Sequence, residues 1–319
     1  MIEKNIQDII KKINKASNKE VAFGGNDSLK IEGQSTGIEL LDYAIGCNGY
    51  PKGRITEIYG LPGAAKTSLA LWGIAQAQRE GRVCMFIDAE FALDIDHAKR
   101  LGVDTDNLII IRPDCGEEAF DVIEKMLIGG DVDFIVVDSV PSLTPTPELE
   151  AEINKPTMGG QARLIASALR RVVPLVAKQN AVLILINQMR VNIMGGQYDP
   201  YTTPGGMSLR FYTSIRMQIT MMEKLKKGTD IVGQRIKFKM RKNKVGMNND
   251  EGIIDLDYEK GFMSKLDLVD VGIKIGVIQR TGNTYSIGET KLGVGKEKAL
   301  EALEASPELQ SLVRQEYQQ

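Results

Sequence analysis

The sequence predicts an α/β fold built on a mostly parallel central sheet. From about residue 35, short apolar runs of the kind seen in strands buried on both faces alternate with segments of helical periodicity. A glycine-rich turn joins the first run to a helix, as in folds with right-handed strand–helix–strand crossovers. The predicted strands cover 55–59, 83–88, 108–112, 134–138 and 181–187. The predicted helices between them cover 66–80, 94–101, 117–128 and 161–178.

Both ends of the chain differ in character from this core. Residues 2–18 carry apolar positions at helical spacing and lead into a Gly/Asn/Ser-rich linker at 24–28. Such a short amphipathic helix cannot bury its apolar stripe alone, so we expect it to dock on its own core or on a neighbouring subunit. After about Phe262, short helices surround a hairpin-like stretch and predict a small α/β C-terminal domain. The predicted domains are 1–34, 35–261 and 262–319, and the C-terminal helices are 266–275, 296–305 and 307–317.

Two further apolar runs lie between the core and the C-terminal domain. Residues 214–222 and 234–242 follow each other without a long helix between them. We therefore expect them to extend the sheet in antiparallel fashion.

Composition excludes several classes of protein. The 319 residues are 43% hydrophobic, but no apolar run approaches the roughly 18 residues of a membrane span. The charged N-terminus does not have the pattern of a secretory signal, and we expect a cytoplasmic protein. Cys47, Cys84 and Cys115 lack metal-ligand spacing, and His97 is the single histidine. These counts argue against a zinc site, a disulfide framework and a histidine-based catalytic triad.

Charge is segregated along the chain although its net value is only −2. Residues 114–152 contain eleven acids and one base, whereas 153–220 contain eight bases and one acid. Residues 224–244 contain nine bases and one acid. This distribution favours a basic surface that faces phosphates or an acidic neighbour, and ordinary solvated faces are the alternative.

A phosphate-binding loop is the strongest functional signal. Residues 60–67 read Gly-Leu-Pro-Gly-Ala-Ala-Lys-Thr, nearly the G-x-x-x-x-G-K-[ST] pattern, between a predicted strand and an apolar helix. Backbone N–H groups of such a loop bind phosphates, Lys66 would reach the β- and γ-phosphates, and the Thr67 hydroxyl would bind Mg²⁺. ATP and Mg²⁺ are therefore the expected ligands, and a merely glycine-rich turn is the alternative. The predicted loop residues are Gly60, Leu61, Pro62, Gly63, Ala64, Ala65, Lys66, Thr67 and Ser68.

Ala65 departs from the pattern, which has glycine at this position. If the position requires a positive φ, alanine costs about 1 kcal/mol, and its methyl group could crowd a phosphate. Gly63 would relieve part of this strain by letting the loop bend two residues earlier. We expect nucleotide affinity or turnover to be altered.

Three polar residues follow predicted strands near this loop. Asp138 ends an apolar strand and would hold Mg²⁺, partly through water. Glu90 lies just past the strand at 83–88 and could polarise a water molecule for attack on the γ-phosphate, as a catalytic base. Gln188 could bond the γ-phosphate and lose that bond after hydrolysis, as a sensor. An ordinary strand end for Asp138 and a surface or helix-capping acid for Glu90 are the alternatives.

Together these elements closely resemble the bacterial RecA recombinases, over more than 250 residues from about Ser35 to near the C-terminus. Helicases and other P-loop ATPases do not carry all of these motifs in this order. The resemblance implies a RecA-type P-loop ATPase core, and a chain that forms a helical homo-polymer on single-stranded DNA and pairs it with double-stranded DNA. The matching stretches are Ser35-Thr36-Gly37, 53–60, 78–81, 86–90, 92–94, 136–140, 186–188, Thr203, Gly205-Gly206 and 242–244.

The resemblance further implies two DNA-binding loops that face the filament axis, at 150–160 and 190–206. Their backbone N–H groups would meet phosphates while apolar side chains insert between bases, giving sequence-independent, salt-sensitive binding. Two ordinary surface loops are the alternative. The implied DNA-binding residues are Met158, Gly159, Arg163, Arg170, Arg190, Ile193, Met194, Gly205 and Gly206.

Other nucleotide-binding positions also follow from the resemblance. Lys242 and Lys244 match lysines that reach a neighbour's ATP across the subunit interface, with a lysine-guarded edge strand as the alternative. His97, with Asp94 nearby, stands where the family usually has a tyrosine that stacks on adenine, and an imidazole can still stack with less area. The sequence ends at Gln319 without the acidic tail of many bacterial members, so we expect weaker restraint on duplex binding.

The predicted function is that of an ATP-dependent DNA recombinase, a DNA-dependent ATPase that performs homology search and strand exchange in recombination and repair. Its predicted catalytic residues are Glu90, Lys66 and Gln188. A regulatory or scaffold filament that binds ATP and hardly cleaves it is the alternative that Ala65 leaves open. A hexameric motor is disfavoured because the trans-acting pair is two lysines rather than an arginine finger.

Overall fold

The computed structural model describes residues 8–9, 11–13, 15, 30–152, 159–191, 201–246, 250–262 and 267–318. The described residues up to 15 are helical, as predicted. The linker at 24–28 and the predicted DNA-binding residues Met158, Ile193 and Met194 lie outside the described residues. The division of the chain at 34/35 and 261/262 stays a prediction.

Between residues 54 and 188 of the described chain, one or two α-helices separate each strand from the next. The strands are β1 (Gly33–Gln34), β2 (Tyr50–Pro51), β3 (Arg54–Gly60), β4 (Cys84–Asp88), β5 (Leu108–Ile111), β6 (Phe134–Asp138), β7 (Val182–Gln188), β8 (Arg190–Val191), β9 (Tyr201–Thr202), β10 (Ile215–Lys227), β11 (Asp230–Asn243), β12 (Glu251–Asp257), β13 (Gly261–Phe262), β14 (Gln279–Thr281), β15 (Thr284–Ile287) and β16 (Thr290–Val294). The helices are α1 (Glu39–Ile45), α2 (Lys66–Arg79), α3 (Ile95–Arg100), α4 (Gly116–Gly129), α5 (Thr146–Leu149), α6 (Gly160–Gln179), α7 (Gly206–Tyr212), α8 (Asp267–Lys274), α9 (Lys296–Glu304) and α10 (Pro307–Gln318).

A nine-stranded sheet forms the centre of the fold, in the order β13-β12-β11-β10-β3-β7-β6-β4-β5. The six strands from β10 to β5 run parallel, and β11, β12 and β13 continue the sheet antiparallel beyond β10. This confirms the predicted α/β class with its mostly parallel sheet and antiparallel extension.

Both faces of the parallel strands are covered, which explains their continuous apolar runs. Along β6, Phe134 and Val136 face one apolar core, which includes Ile74 of α2. The alternating residues Ile135 and Val137 face a second core built with α4 and α6. The sheet is therefore a middle layer between two helical layers.

The parallel arrangement brings the carboxyl ends of four strands to one edge of the sheet. Asp88 at the end of β4 is in register with Asp138 at the end of β6. Gly60 at the end of β3 is likewise in register with Gln188 at the end of β7. Ligands of open α/β sheets bind at this edge, so the fold itself assembles the predicted site.

The basic segment at 224–244 meets an acidic strand that the sequence prediction missed. In β12, Asp255 accepts hydrogen bonds from Arg235 of β11 at 2.7 and 2.9 Å, and Glu251 pairs with Lys237 and Lys239 at 2.6 and 3.1 Å. The alternation of buried Ile254 and Leu256 with outward Asp255 and Asp257 was the signal that could have found β12. Part of the positive charge of the predicted basic surface is therefore paired with carboxylates of the neighbouring strand.

A small antiparallel sheet, β14-β15-β16, and three helices form the predicted C-terminal domain. Tyr285 and Leu292 of the sheet are buried with Leu303 of α9 and Val313 of α10. None of the helices in the described ranges is both long enough and apolar enough to span a membrane.

Candidate functional site

The turn between β3 and α2 bends through two left-handed residues. Gly63 has a φ of 74°, and Ala65 has a φ of 60° with a ψ of 27°. Ala65 therefore adopts the conformation in which alanine costs about 1 kcal/mol. A Cβ atom at Gly63 would meet nothing within 4 Å, whereas one at Gly60 would lie 2.2 Å from the carbonyl oxygen of Ile219. Glycine at position 60 is thus required by the close approach of β10.

Lys66 is the first residue of α2, and its ammonium group lies over its own loop. The Nζ atom donates to the Leu61 carbonyl oxygen at 2.9 Å. Burial lowers the pKa of Lys66, while the nearby carboxylates of Asp138 and Glu90 act in the opposite direction. The loop therefore carries one buried ammonium group beside two carboxylates.

Thr67 and Asp138 join the loop to the end of β6. The Thr67 hydroxyl donates to Asp138 Oδ2 at 2.6 Å. Burial raises the pKa of Asp138 to about 6; the Thr67 hydrogen bond lowers this pKa, and the charge of Glu90 raises it. A hydroxyl and a carboxylate at this separation form a donor set that suits Mg²⁺.

Glu90 lies just past β4 with its carboxylate exposed. Its Oε1 atom accepts hydrogen bonds from the Ser139 hydroxyl and, at 2.9 Å, from the Gln188 side-chain amide. The backbone N–H groups of Ala89 and Glu90 donate to the Asp138 carbonyl oxygen at 2.8 and 3.2 Å. Side chains that are far apart in sequence, Glu90 and Gln188, are therefore in direct contact.

Asp88 anchors the turn that carries Glu90. Its buried carboxylate accepts from the backbone N–H groups of Ala92 and Leu93 at 2.9 and 3.3 Å, and from Arg112 Nε at 3.0 Å. Sequence reasoning assigned no role to Asp88. The sequence did contain a signal for this role, because Asp88 is an acid at the end of a buried strand, two residues before the candidate base Glu90.

The predicted adenine-side residues lie at the start of α3. The Asp94 carboxylate accepts from the backbone N–H of His97 at 2.9 Å, and the His97 Nε2 atom lies 2.9 Å from the Ser68 hydroxyl. Burial and the charge of Arg100 lower the pKa of His97, whereas Asp94 raises it. The His97 ring therefore lies next to the residue that follows Thr67.

Lys242 and Lys244 do not contact the phosphate loop of their own chain. The Lys242 ammonium donates to the carbonyl oxygens of Arg210, Phe211 and Thr213, the last two at 3.2 and 2.6 Å. Burial, Lys244 and Arg216 lower the pKa of Lys242 to about 8. Lys242 thus satisfies the C-terminal carbonyl groups of α7, and Lys244 lies 3.4 Å from the Phe211 oxygen.

The described ends of the two predicted DNA-binding loops converge. Left-handed Gly159, with a φ of 75°, precedes α6, and Gly205, with a φ of 94°, precedes α7. A Cβ atom at Gly206 would lie 3.0 Å from the Ala162 Cβ, so the two helix starts touch. Gln161 in the first turn of α6 donates to the carbonyl oxygens of Val140 and Pro141, both at 3.0 Å. Both loops therefore return beside the segment that follows Asp138.

Three predicted arginines lie on these elements. Arg163 and Arg170 are exposed on α6, and Arg190 is exposed on β8, where it pairs with Thr202 of β9. Sequence reasoning missed a buried polar group formed by Glu57, Asn187 and Arg216 on the neighbouring strands β3, β7 and β10. A carboxylate within the apolar run 55–59 was the signal that could have found it.

Comparison with known proteins identifies the family. The sequence model of the RecA N-terminal domain matches residues 1–263, and that of the RecA C-terminal domain matches 266–318. Protein RecA of Nautilia profundicola is 44% identical over 296 residues, which cover 92% of this chain and 85% of the relative. Protein RecA of Sulfurimonas denitrificans is 43% identical over 298 residues, covering 92% and 86% of the two chains. Protein RecA of Macrococcus caseolyticus is 42% identical over 317 residues, covering 98% and 89%. The chain therefore belongs to the RecA family.

Proposed function

We propose that this chain is an ATP-dependent DNA recombinase of the cytoplasm of a bacterium or an infected host cell. It polymerises on single-stranded DNA, searches double-stranded DNA for homology and exchanges strands in recombination and repair. The observation that carries the proposal is the contact of Glu90, Gln188, Asp138 and the phosphate loop at one sheet edge, in a chain of the RecA family.

The phosphate loop and its neighbours bind the nucleotide. Backbone N–H groups of residues 60–67 and the Lys66 ammonium hold the phosphates, since both supply positive partial or full charge. Thr67 and, partly through water, Asp138 would hold Mg²⁺, which would neutralise charge on the phosphates. On the adenine side the imidazole of His97 stacks on the base, with Asp94 and Ser68 beside it.

Glu90 acts as the general base of hydrolysis. Its carboxylate lies within reach of both Ser139 and Gln188, so it is held in place with one oxygen fully engaged. The other oxygen is the acceptor for the proton of the attacking water. Gln188 exchanges its bond to Glu90 for one to the γ-phosphate, and this exchange reports the nucleotide state to the loop that follows.

DNA binds to the two loops and to the arginines beside them. Arg163, Arg170 and Arg190 contact phosphates, together with the backbone of Gly159, Gly205 and Gly206. Met158, Ile193 and Met194 insert between bases. Because such contacts read no base edges, binding does not depend on sequence.

Hydrolysis requires a neighbouring subunit. Lys242 and Lys244 serve the nucleotide of the adjacent subunit, as an arginine finger does in trans. Their position away from their own phosphate loop supports this role. The N-terminal helix packs on the next subunit, and Ile9 is 54% exposed on that helix.

The test is ATP hydrolysis with and without single-stranded DNA, for the parent protein and for Glu90→Gln. We expect DNA to stimulate hydrolysis by the parent, and Glu90→Gln to abolish it while filaments persist in electron micrographs. Glu289→Gln, which makes the same change at an exposed position near β16, is the matched control and should behave as the parent does. Closed rings in place of filaments would contradict the recombinase assignment.

A regulatory filament that binds ATP without cleaving it is the second candidate. The left-handed conformation of Ala65 favours it, since the added methyl group strains the loop that holds the phosphates. Filaments formed with ATP by a parent protein that has no DNA-stimulated hydrolysis would establish this alternative.

A further inference from the structure

A buried ion pair joins β3 to β10 close to the phosphate loop. The Glu57 side chain is fully buried three residues before Gly60, and the Arg216 side chain is 13% exposed. Arg216 Nε donates to Glu57 Oε2, and the guanidinium carbon lies 4.8 Å from the centre of the Tyr59 ring. A buried carboxylate is tolerated only when its remaining lone pairs also accept hydrogen bonds. The other hydrogen-bond donors to Glu57 therefore show which parts of the chain this residue holds in place.

Asn187 is the second partner of Glu57. Its Nδ2 atom donates to Glu57 Oε1 at 2.9 Å and to the carbonyl oxygen of Pro204 at 2.9 Å. Its Oδ1 atom accepts from the backbone N–H of Gln188 at 2.9 Å. Asn187 is fully buried, so this side chain is fixed by three hydrogen bonds and cannot turn without breaking them.

Arg216 extends the same cluster to the far end of the second loop. Its Nη2 atom donates to the Thr203 hydroxyl at 3.1 Å, and Thr203 is buried. The chain enters the 190–206 loop after Asn187 and Gln188 and leaves it through Thr203 and Pro204. One carboxylate, Glu57, therefore holds both ends of the loop, at Asn187 directly and at Thr203 through Arg216.

We propose that Glu57 is a positioning residue that couples the nucleotide to the DNA-binding loop. The inference rests on the proposed function, in which Gln188 senses the γ-phosphate. A shift of Gln188 moves the Asn187 side chain bonded to its N–H, and Asn187 cannot move without disturbing Pro204 and Glu57. The Glu57–Arg216 pair carries the same shift to Thr203, so both ends of the loop respond together.

The experiment measures how strongly the nucleotide controls DNA affinity. Single-stranded DNA affinity is determined with a non-hydrolysable ATP analogue and with ADP, and the ratio of the two affinities gives the coupling. Glu57→Gln presents an amide donor to either Asn187 or Arg216, both of which are donors. We expect the coupling ratio to fall by about tenfold and the DNA-stimulated kcat to fall with it, while KM for ATP stays within about twofold.

A second variant and a control separate coupling from folding. Arg216→Lys keeps a positive charge beside Glu57 but replaces the separate Nε and Nη2 donors to Glu57 and Thr203 with a single nitrogen, and we expect a loss of about threefold in the coupling ratio. Arg235→Lys makes the same change in the Arg235–Asp255 pair of β11 and β12 and should leave the ratio unchanged, because within the described residues Arg235 bonds Asp255 and Glu223 rather than the ends of the loop. Thermal unfolding of each variant shows whether it folds; if Glu57→Gln does not, Arg216→Lys decides.

The outcomes are distinct. A parent ratio preserved in Glu57→Gln or, where that variant is unfolded, in Arg216→Lys overturns the inference alone. Equal losses of DNA affinity with the ATP analogue and with ADP would mean that the cluster only stabilises the fold, which also overturns it. A parent protein whose DNA binding ignores the nucleotide would overturn the proposed function, and the inference with it.

Discussion

Ala65 places a methyl group where the backbone of the phosphate loop is left-handed, with a φ of 60°. We expect Ala65→Gly to stabilise the protein by about 0.5 kcal/mol, because relief of about 1 kcal/mol of strain exceeds the greater chain entropy of unfolded glycine. The loop should also bind ATP more tightly, since no methyl group then crowds the phosphates. Chemical unfolding and nucleotide titration measure the two effects.

The neighbouring Ala64 provides the control for this prediction. Ala64 is 1% exposed, and its φ is not positive. Ala64→Gly should therefore lower stability by about 1 kcal/mol, because it removes a buried methyl group and adds chain entropy. The strain account of Ala65 would be wrong if both glycine variants were destabilised equally.

Asp138 gives the site a dependence on acid pH. Burial raises its pKa to about 6 from an ordinary value of 3.8, so this carboxyl is protonated in the folded protein below about pH 6. Above pH 6 the charged, buried Asp138 lowers the free energy of unfolding, and this loss of stability is relieved as the pH falls from 6 towards 3.8. In its proposed role as a Mg²⁺ ligand Asp138 must be charged, so the apparent affinity of the site for Mg²⁺ should fall by up to about tenfold per pH unit below pH 6.

Hydrolysis measured against Mg²⁺ concentration between pH 5 and pH 7 tests this dependence. We expect excess Mg²⁺ to restore activity at pH 5.5, since the metal ion competes with the proton. In Asp138→Asn the residual Mg²⁺ requirement should not change over this range. An equal Mg²⁺ requirement of the parent at pH 5.5 and pH 7 would contradict the role of Asp138.

At the level of secondary-structure elements, helix α7 connects the second loop to the two lysines of β11. Lys242 donates to three carbonyl groups at the C-terminal end of this helix, where a cation also interacts favourably with the helix dipole. To reach a neighbour's phosphate, Lys242 must leave these groups. Under the proposed function, filament assembly with ATP competes with the end of α7 for the same ammonium group.

The lowered pKa of Lys242 predicts that assembly weakens at alkaline pH. Burial lowers the pKa of Lys242 to about 8, so the ammonium loses its proton in the free subunit above pH 8, whereas contact with phosphate requires the charged form. ATP-dependent assembly, followed by light scattering between pH 7 and pH 9.5, should weaken by up to about tenfold per pH unit above pH 8. Lys242→Arg stays charged and should remove this dependence, and parallel pH curves for the two proteins would contradict it.

Most elements could be predicted because their residues are buried on both faces or follow one helical stripe. Strand β12 was missed although Ile254 and Leu256 alternate with Asp255 and Asp257 as in a half-buried strand. Its pairing with Arg235 and Lys237 of the neighbouring strand could not be predicted. Periodicity reports how an element faces the core, and it does not report which element lies beside it.

Over the whole molecule, the topology of the sheet made part of the site predictable. Parallel strands end at one edge, so the residues that follow β3, β4, β6 and β7 had to lie together once those strands were identified. The pairings within the site could not be predicted in this way. Glu90 with Ser139 and Glu57 with Arg216 join residues 49 and 159 positions apart, and these contacts depend on strand order.

The last prediction concerns the charge of the whole molecule. The net charge is only −2, but residues 153–220 carry eight bases and one acid, and Arg163, Arg170 and Arg190 in this segment are exposed. Binding of single-stranded DNA should therefore weaken with salt, because each neutralised phosphate releases about 0.7 counterions.

Arg170→Ala should make the plot of log affinity against log salt concentration shallower by about 0.7 per subunit. Arg82→Ala, which removes an arginine paired with Asp133 before β4, should leave the slope unchanged. A weaker affinity with an unchanged slope in Arg170→Ala would mean that Arg170 shapes α6 and does not contact phosphate.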